Sequence, residues 1–111
     1  MTLYKPGDVV LVKFPFTSGA GSKLRPALVI LDTGDDDLVV ARITTHTSLT
    51  LFDVVVVDWR GAGLLAPSNA RLHKLATIEK SCVARKLGVL SPQELAKVQT
   101  TLYALFKQIL G

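Results

Sequence analysis

Two arginines, two threonines and a histidine stand near the ends of two consecutive apolar segments of this chain. Arg25 opens the segment RPALVILD, and Arg42, Thr44, Thr45 and His46 close the segment LVVARITTH. Guanidinium groups match phosphate oxygens in a planar fork, and hydroxyl groups donate to the same oxygens. Brought together, residues of these types would suit the binding or cleavage of a phosphodiester.

The elements that would position these residues are two strands joined by a tight turn. The β-branched composition predicts strands over 25–32 and 38–46, and the intervening TGDDD is typical of a hairpin turn. A hairpin centred near residue 35 sets the start of the first strand opposite the end of the second. Arg25 is therefore expected close to Thr44.

The strand period decides which side chains share a face. Alternation puts Arg42, Thr44 and His46 on one face of the second strand, and Ile43 and Thr45 on the other. A cation, a hydroxyl and an imidazole are thus expected to point the same way.

The segment before Arg25, PFTSGAGSK at 15–23, is rich in glycine, serine and threonine and is predicted to be a loop. Backbone N–H groups of such loops bind anions. The candidates for substrate contacts are the polar residues of this loop and of the hairpin end: Thr17, Ser18, Lys23, Arg42, Thr45 and His46.

Each of these residues also has a purely structural interpretation. Arg25 would suit a surface salt bridge to Asp32 or Asp58, and Arg42 would balance the acidic turn. Threonines are ordinary strand residues, and His46 would serve as a loop residue without a role.

The composition is that of one folded domain over residues 1–111. Hydrophobic residues make up 49% and charged residues 20%, and the net charge is +4. The region 60–86 is the most basic and holds one acid, Glu79, which favours an anionic partner such as nucleic acid or else an ordinary solvated surface.

Cys82 is the only cysteine, so no internal disulfide forms. The sequence shows neither a signal peptide nor an apolar run of bilayer-spanning length, which predicts a cytoplasmic protein.

The remaining elements complete a mostly β architecture. Further strands are expected over 9–14 and 51–59 and within 72–88. Ser91, Pro92 and Glu94 then give the start signals of a helix.

An apolar stripe follows that start at spacings of three and four residues: Leu95, Val98, Leu102, Leu105 and Ile109. The stripe is expected to pack on the sheet, with partner binding as the alternative. The predicted fold is a small, mostly antiparallel barrel with a C-terminal helix.

No metal or cofactor is expected. His46 and His73 have no nearby set of partner ligands, and the aspartates of the turn lack the regular spacing of a calcium loop.

Five stretches, in this order, resemble the MazF/PemK family of toxin endoribonucleases. They are GDVVLVKFPFT at 7–17, GSKLRPALVI at 21–30, ITTHTS at 43–48, GLLAPSNARLHKL at 63–75 and KLGVLSPQEL at 86–95. The resemblance implies an SH3-like barrel with a C-terminal helix and a homodimer that cuts single-stranded RNA without a metal. It also implies inhibition by a cognate antitoxin whose tail occupies the RNA groove.

The resemblance further implies that Arg25, in the Arg-Pro motif, and Thr44 are catalytic, with the loop 15–23 flanking the groove. The 2′-OH of the RNA would attack the adjacent phosphate and expel the 5′-oxygen. Arginine stays protonated at neutral pH, so Arg25 is expected to stabilise the transition state. His46 and His73 depart from the family pattern; histidine ordinarily titrates near pH 6.5, which makes His46 a candidate base outside that pattern.

Two other classes stay open at this level. An SH3-like barrel can bind RNA or peptide without cutting it. A toxin that poisons gyrase on the same barrel is the second alternative, although the chain ends FKQILG and its only tryptophan is Trp59.

Overall fold

The structure is a computed structural model that describes residues 2–15, 22–47 and 49–111. Over these ranges it contains six strands and one long helix: β1 Asp8–Pro15, β2 Ser22–Asp32, β3 Asp37–Thr44, β4 Asp53–Val56, β5 Ser68–Glu79, β6 Val83–Val89 and α1 Pro92–Leu110. A single 3-10 turn, Lys80–Cys82, links β5 to β6. Within the described ranges, no helix is both long enough and apolar enough to cross a membrane.

The six strands form one antiparallel sheet in the order β4-β5-β3-β2-β1-β6. The predicted class, mostly β with a C-terminal helix, is confirmed. The sheet is not closed, and β4 and β6 form its two edges. The hairpin predicted across TGDDD is present as β2 and β3.

The two faces of the sheet carry separate apolar clusters because side chains alternate along each strand. The helix-covered face, which carries Val9, Leu28 and Ala41, packs against Val98 and Leu102 of α1. The second face carries six buried residues: Val10, Val12, Ala27, Val29, Leu38 and Val40. Burying each of the valine and leucine side chains among them stabilises the fold by about 1.5–3 kcal/mol.

The start of α1 follows its local signals. The Ser91 hydroxyl accepts the N–H of Glu94 at 3.2 Å, and Pro92 occupies the first turn. Val98 and Leu105 of the predicted stripe are buried, whereas Ile109 is 66% exposed. The last turn therefore does not pack on the sheet.

The strand predicted over 51–59 is only four residues long, and hydrogen bonds at both ends explain why. Before β4, the Asp53 carboxylate accepts the N–H of Thr50 at 2.6 Å and closes a turn. After β4, the N–H groups of Val57 and Asp58 donate to the carboxylate of Glu94, with 3.1 Å at Asp58. These N–H groups are thus taken by the helix rather than by a neighbouring strand.

The turn before β5 packs closely on β6 and requires a glycine. Gly63 has a φ of 78°, and a Cβ at this position would lie 2.1 Å from the carbonyl oxygen of Leu87. Any side chain at Gly63 would push the turn away from the edge strand.

Candidate functional site

Arg25 and Thr44 lie on neighbouring strands at the same end of the second face. The β2–β3 ladder pairs Ala27 with Arg42, and two further residues along each strand lead to Arg25 and Thr44. Neighbouring strands lie about 4.8 Å apart, and paired residues share a face. The predicted proximity of Arg25 and Thr44 thus follows from the observed register.

The setting of Arg25 differs from the prediction in one respect. β2 begins at Ser22 rather than at Arg25, because Lys23 and Leu24 pair with β1. Arg25 is therefore an exposed residue inside a strand, opposite the buried Val12 of β1. The rigid pairing on that side holds its Cα in place.

Arg42 belongs to the same end of the second face. It is exposed, two residues before Thr44, and its neighbour Val40 is buried in the second-face cluster. The interpretation that Arg42 balances the acidic turn is wrong, because β3 is extended and Arg42 lies about 16 Å along it from Asp37.

Lys23 lies two residues before Arg25 on β2, so the two side chains share a face of the sheet. It pairs with Phe14 of β1. It was predicted in the loop 15–23, but this part of the chain is strand. Thr17 and Ser18, the other two candidates from that loop, lie outside the described residues.

The end of β3 departs from the prediction that strand continues to His46. The Thr44 hydroxyl accepts the N–H of His46 at 3.2 Å, and the side-chain amide of Asn69 donates to the carbonyl of His46 at 2.7 Å. These bonds replace the strand ladder after Thr44, as short polar side chains often do. His46 is exposed beyond the strand and does not share a strand face with Arg42 and Thr44.

The hydrogen bond from the His46 N–H leaves the Thr44 hydroxyl able to donate to a ligand. A hydroxyl has one O–H donor and two lone pairs, and accepting the N–H of His46 uses one lone pair. The O–H therefore remains available as a donor from a half-buried side chain whose oxygen is held in place.

Thr45 points away from this group. It lines a cavity of about 310 Å³ together with Leu11, Pro26 and Arg85. Leu11 and Pro26 pair across β1 and β2, and their side chains lie on the helix-covered face. The structure therefore separates Thr45 from Arg25 and Thr44 by the thickness of the sheet.

Asn69 is a site residue that the sequence analysis missed. It pairs with Thr44 across β3 and β5, is 9% exposed and holds the carbonyl of His46. Asn69 precedes the strand region predicted within 72–88, and asparagine is depleted in strands, so the sequence pattern gave no signal for its place in β5.

A third guanidinium close to this end, that of Arg71, is neutralised. Arg71 pairs with Arg42 across the sheet, and its Nε lies 3.0 Å from the carboxylate of Asp53. Burial by itself would raise the pKa of Asp53, but hydrogen bonds from the Thr50 N–H and from Arg71 hold it below its ordinary value. Asp53 thus stays charged and keeps Arg71 turned towards β4.

The described residues contain no group of three or more histidine, cysteine, aspartate or glutamate side chains placed to hold a metal ion. His73 lies on β5 with its ring centroid 6.3 Å from that of Phe52. The structure does not bring His73 together with His46.

The chemistry of the site follows from what is assembled. Arg25, Arg42 and Lys23 supply positive charge, and Thr44 supplies a positioned hydroxyl, all at one end of the second face. Planar guanidinium groups beside a hydroxyl donor bind tetrahedral oxyanions, and they bind them more tightly as negative charge develops. The arrangement is suited to a phosphodiester.

The fold and this site define a class of small proteins in which one antiparallel sheet with a C-terminal helix presents a basic, hydroxyl-bearing end. Residues 5–106 match the family model of the PemK-like, MazF-like toxins of type II toxin–antitoxin systems. The chain belongs to this family, as the sequence resemblance predicted. No curated protein sequence matches it significantly.

Solved structures with the same fold agree over nearly the whole chain. An endoribonuclease from a mycobacterial species has a TM-score of 0.76 at 17% identity, covering 96% of this chain and 94% of its own. A mycobacterial endoribonuclease in complex with its cognate antitoxin has a TM-score of 0.73 at 19% identity, covering 95% and 96%. The Mycobacterium tuberculosis toxin MazF-mt6 has a TM-score of 0.71 at 20% identity, covering 88% and 96%.

Proposed function

We propose that residues 1–111 act as one toxin domain, an endoribonuclease that cuts single-stranded RNA in the cytoplasm and is held in check by an antitoxin. Family membership supports the toxin role, and similar structures are named endoribonucleases. The observation that carries the proposal is the placement of Arg25, Arg42 and Thr44 on one face of the β2–β3 hairpin.

The proposed reaction uses the substrate's own nucleophile. The 2′-OH loses its proton and attacks the adjacent phosphorus, the bond from phosphorus to the 5′-oxygen breaks, and that oxygen takes up a proton. The products carry a 2′,3′-cyclic phosphate and a 5′-hydroxyl. Because the nucleophile already lies beside the phosphate, the step gains from proximity and needs no metal-activated water.

Arg25 and Thr44 have distinct roles in this reaction. The Arg25 guanidinium stabilises the doubly charged phosphorane, and the Thr44 O–H donates to a phosphate oxygen. Arg42 and Lys23 hold the RNA backbone on either side, and Thr17 and Ser18 remain candidates for the same task. His46, exposed directly after β3, is the candidate base.

The proposed partners follow from the same charges. A similar mycobacterial endoribonuclease binds a cognate antitoxin. For this chain we expect an acidic antitoxin segment that replaces phosphate charge at Arg25 and Arg42. We also propose a homodimer, which light scattering would distinguish from a species of 12.0 kDa.

The test is an RNA in which a single ribose is changed. The purified chain is incubated with a labelled RNA that it cuts, and with the same RNA carrying 2′-deoxyribose on the 5′ side of the cut. We expect the modified RNA to bind but not to be cleaved, because it lacks the nucleophile. Mass spectrometry should find cyclic phosphate and 5′-hydroxyl ends, and EDTA should leave the rate unchanged.

Four results would contradict the proposal. Cleavage of the 2′-deoxy RNA or a 5′-phosphate on the product would exclude attack by the 2′-OH. Loss of activity in EDTA would exclude the metal-independent reaction. Binding of every RNA without any cleavage would favour a binding module instead.

A further inference from the structure

A cavity of about 280 Å³ opens on the second face beside Arg42. The residues around it come from three strands: Phe14, Val40, Arg42, Lys74, Leu75 and Ala76. Of these, the catalytic arrangement described above uses Arg42 alone. The ring of Phe14 and the ammonium group of Lys74, next to that guanidinium, therefore have no role in that arrangement.

Lys74 lines this cavity from within a bulge in β5. The β3–β5 ladder steps from the pair Ala41–Leu75 directly to the pair Arg42–Arg71, so three residues of β5 have no counterpart on β3. Leu72, the first of them, fills the core and donates its N–H to the carbonyl of Phe52. Lys74, the last of them, is exposed and lines the cavity.

The cavity adjoins the end that carries Arg25 and Thr44. Phe14 lies on β1 opposite Lys23, two residues after Val12, which faces Arg25. Arg42 lies two residues before Thr44 on β3, a spacing of about 7 Å along the strand. A nucleic acid bound at Arg25 therefore reaches the cavity with its next nucleotide.

The chemistry of the cavity suits one nucleotide. Phe14 is half-buried and packs against the second-face cluster, which fixes its ring at the wall. Among the described residues, neither Arg42 nor Lys74 forms an ion pair, in contrast to Arg71 with Asp53. The volume lies just below the range of about 300–1,000 Å³ typical of small-molecule pockets, which fits a single base.

We propose that this cavity is the subsite for the nucleotide next to the scissile phosphate, a proposal that rests on the endoribonuclease function above. The base stacks on Phe14, and Lys74 with Arg42 holds the adjoining phosphate. Stacking on an aromatic ring tolerates any base, so the subsite contributes binding and register rather than a choice of sequence.

The first experiment removes the base from the RNA rather than the ring from the protein. Starting from an RNA that the parent cleaves, single abasic residues are placed at each position flanking the cut, with ribose and phosphate kept. One position should raise KM by about 5- to 150-fold, the range for losing one stacked base, with kcat nearly unchanged. In Phe14→Leu that penalty should disappear, and in Phe14→Tyr it should return.

The second experiment tests the ammonium group. Lys74→Gln should raise KM because one phosphate contact is lost. The slope of the logarithm of the binding constant against the logarithm of salt concentration should become shallower by about 1. Lys97→Gln is the matched control, since Lys97 is an exposed lysine of α1 on the other side of the sheet. The control should behave as the parent.

The outcomes separate the subsite from the function. If the parent cleaves RNA but the abasic penalty is the same in Phe14→Leu, or Lys74→Gln equals Lys97→Gln, the subsite is wrong and the function stands. If the parent does not cleave, the same series is measured as binding; an abasic penalty that depends on Phe14 then supports the subsite without the reaction. A parent that neither binds nor cleaves RNA overturns both.

Discussion

The charged side chains at the two ends of the second face differ in their burial. At one end, the Asp32 carboxylate is 4% exposed and takes the N–H of Tyr4, the N–H of Gly34 and the ammonium of Lys80 at 3.0 Å. At the other end, roughly 20 Å along β2, Arg25 is exposed beside Thr44. The basic residues of this chain therefore serve two purposes: some hold segments together, and others face solvent where a ligand can bind.

Ion pairs with aspartates occupy several members of the basic region 60–86. Lys80 and Lys86 towards the Asp32 end, and Arg71 near the Arg25 end, each contact an aspartate of another segment. The net basic region of the sequence is therefore not one continuous binding surface. We therefore expect substitutions at the Arg25 end to change catalysis and substitutions at the Asp32 end to change stability.

The largest effect is expected for Arg25→Ala. RNA cleavage should fall by about 10²–10³-fold, the usual cost of removing one preorganised group that stabilises transition-state charge. The free energy of unfolding should stay within about 0.5 kcal/mol of the parent because the side chain is exposed. Single-turnover cleavage and urea denaturation measure the two quantities, with Lys97→Ala as control. Cleavage within tenfold of the parent would remove Arg25 from the site.

Thr44→Val should come next, with a loss of about 100-fold in rate, since the phosphate loses one hydroxyl donor. Thr45→Val is the matched control on the other face and should lose less than about tenfold, well below the cost of a lost transition-state donor. Thr44→Ser should restore most of the rate because it keeps the oxygen that holds the N–H of His46. Equal losses at the two threonines would mean that the face assignment does not govern activity.

Asp32→Asn should leave cleavage unchanged and lower the melting temperature in a pH-dependent way. The N–H of Tyr4, the N–H of Gly34 and Lys80 lower the pKa of Asp32 from 3.8 to about 2. The ionised group therefore stabilises the fold above pH 4, and this contribution is lost as pH falls from about 4 to 2. The melting temperatures of parent and variant, measured from pH 7 down to pH 2, should converge. A constant difference over that range would exclude the ionised carboxylate as the cause.

The smallest effect is expected for Lys86→Met. Lys86 contacts the buried Asp8 carboxylate at 3.1 Å, but its side chain is 49% exposed. Exposed ion pairs contribute about 0–1 kcal/mol, and salt reduces that further. Urea denaturation at low and high salt measures the difference, which should shrink with salt. A loss of several kcal/mol would place this pair with the buried contacts of the Asp32 end.

Local signals made the helix and the hairpin predictable. Ser91, Pro92 and Glu94 mark the helix start with contacts that span three residues. The β2–β3 hairpin follows from two β-branched segments around a short polar turn, and its register brings Arg25 near Thr44 as the sequence indicated. These features depend on residues close in the chain, which is why pattern and propensity are sufficient.

The parts that the sequence did not reveal depend on contacts between distant segments. β3 ends at Thr44 because its hydroxyl competes for the N–H of His46, and Asn69 from β5 secures the result. Lys74 lies in a three-residue bulge of β5 that sets Arg71 opposite Arg42, and it lines the second-face cavity. Neither periodicity nor composition specifies a bulge of this size, so neither Asn69 nor Lys74 was predicted as a site residue.

The Glu94 carboxylate makes helix docking observable at two amides of another segment. Val57 and Asp58 follow the short edge strand β4, have exposed side chains and donate their N–H groups to a side chain of α1. Their amide protons should exchange with solvent whenever α1 undocks, even while the sheet stays intact. Slow exchange at these two positions therefore reports on the helix rather than on the strand, and Glu94→Gln should accelerate it without unfolding the sheet.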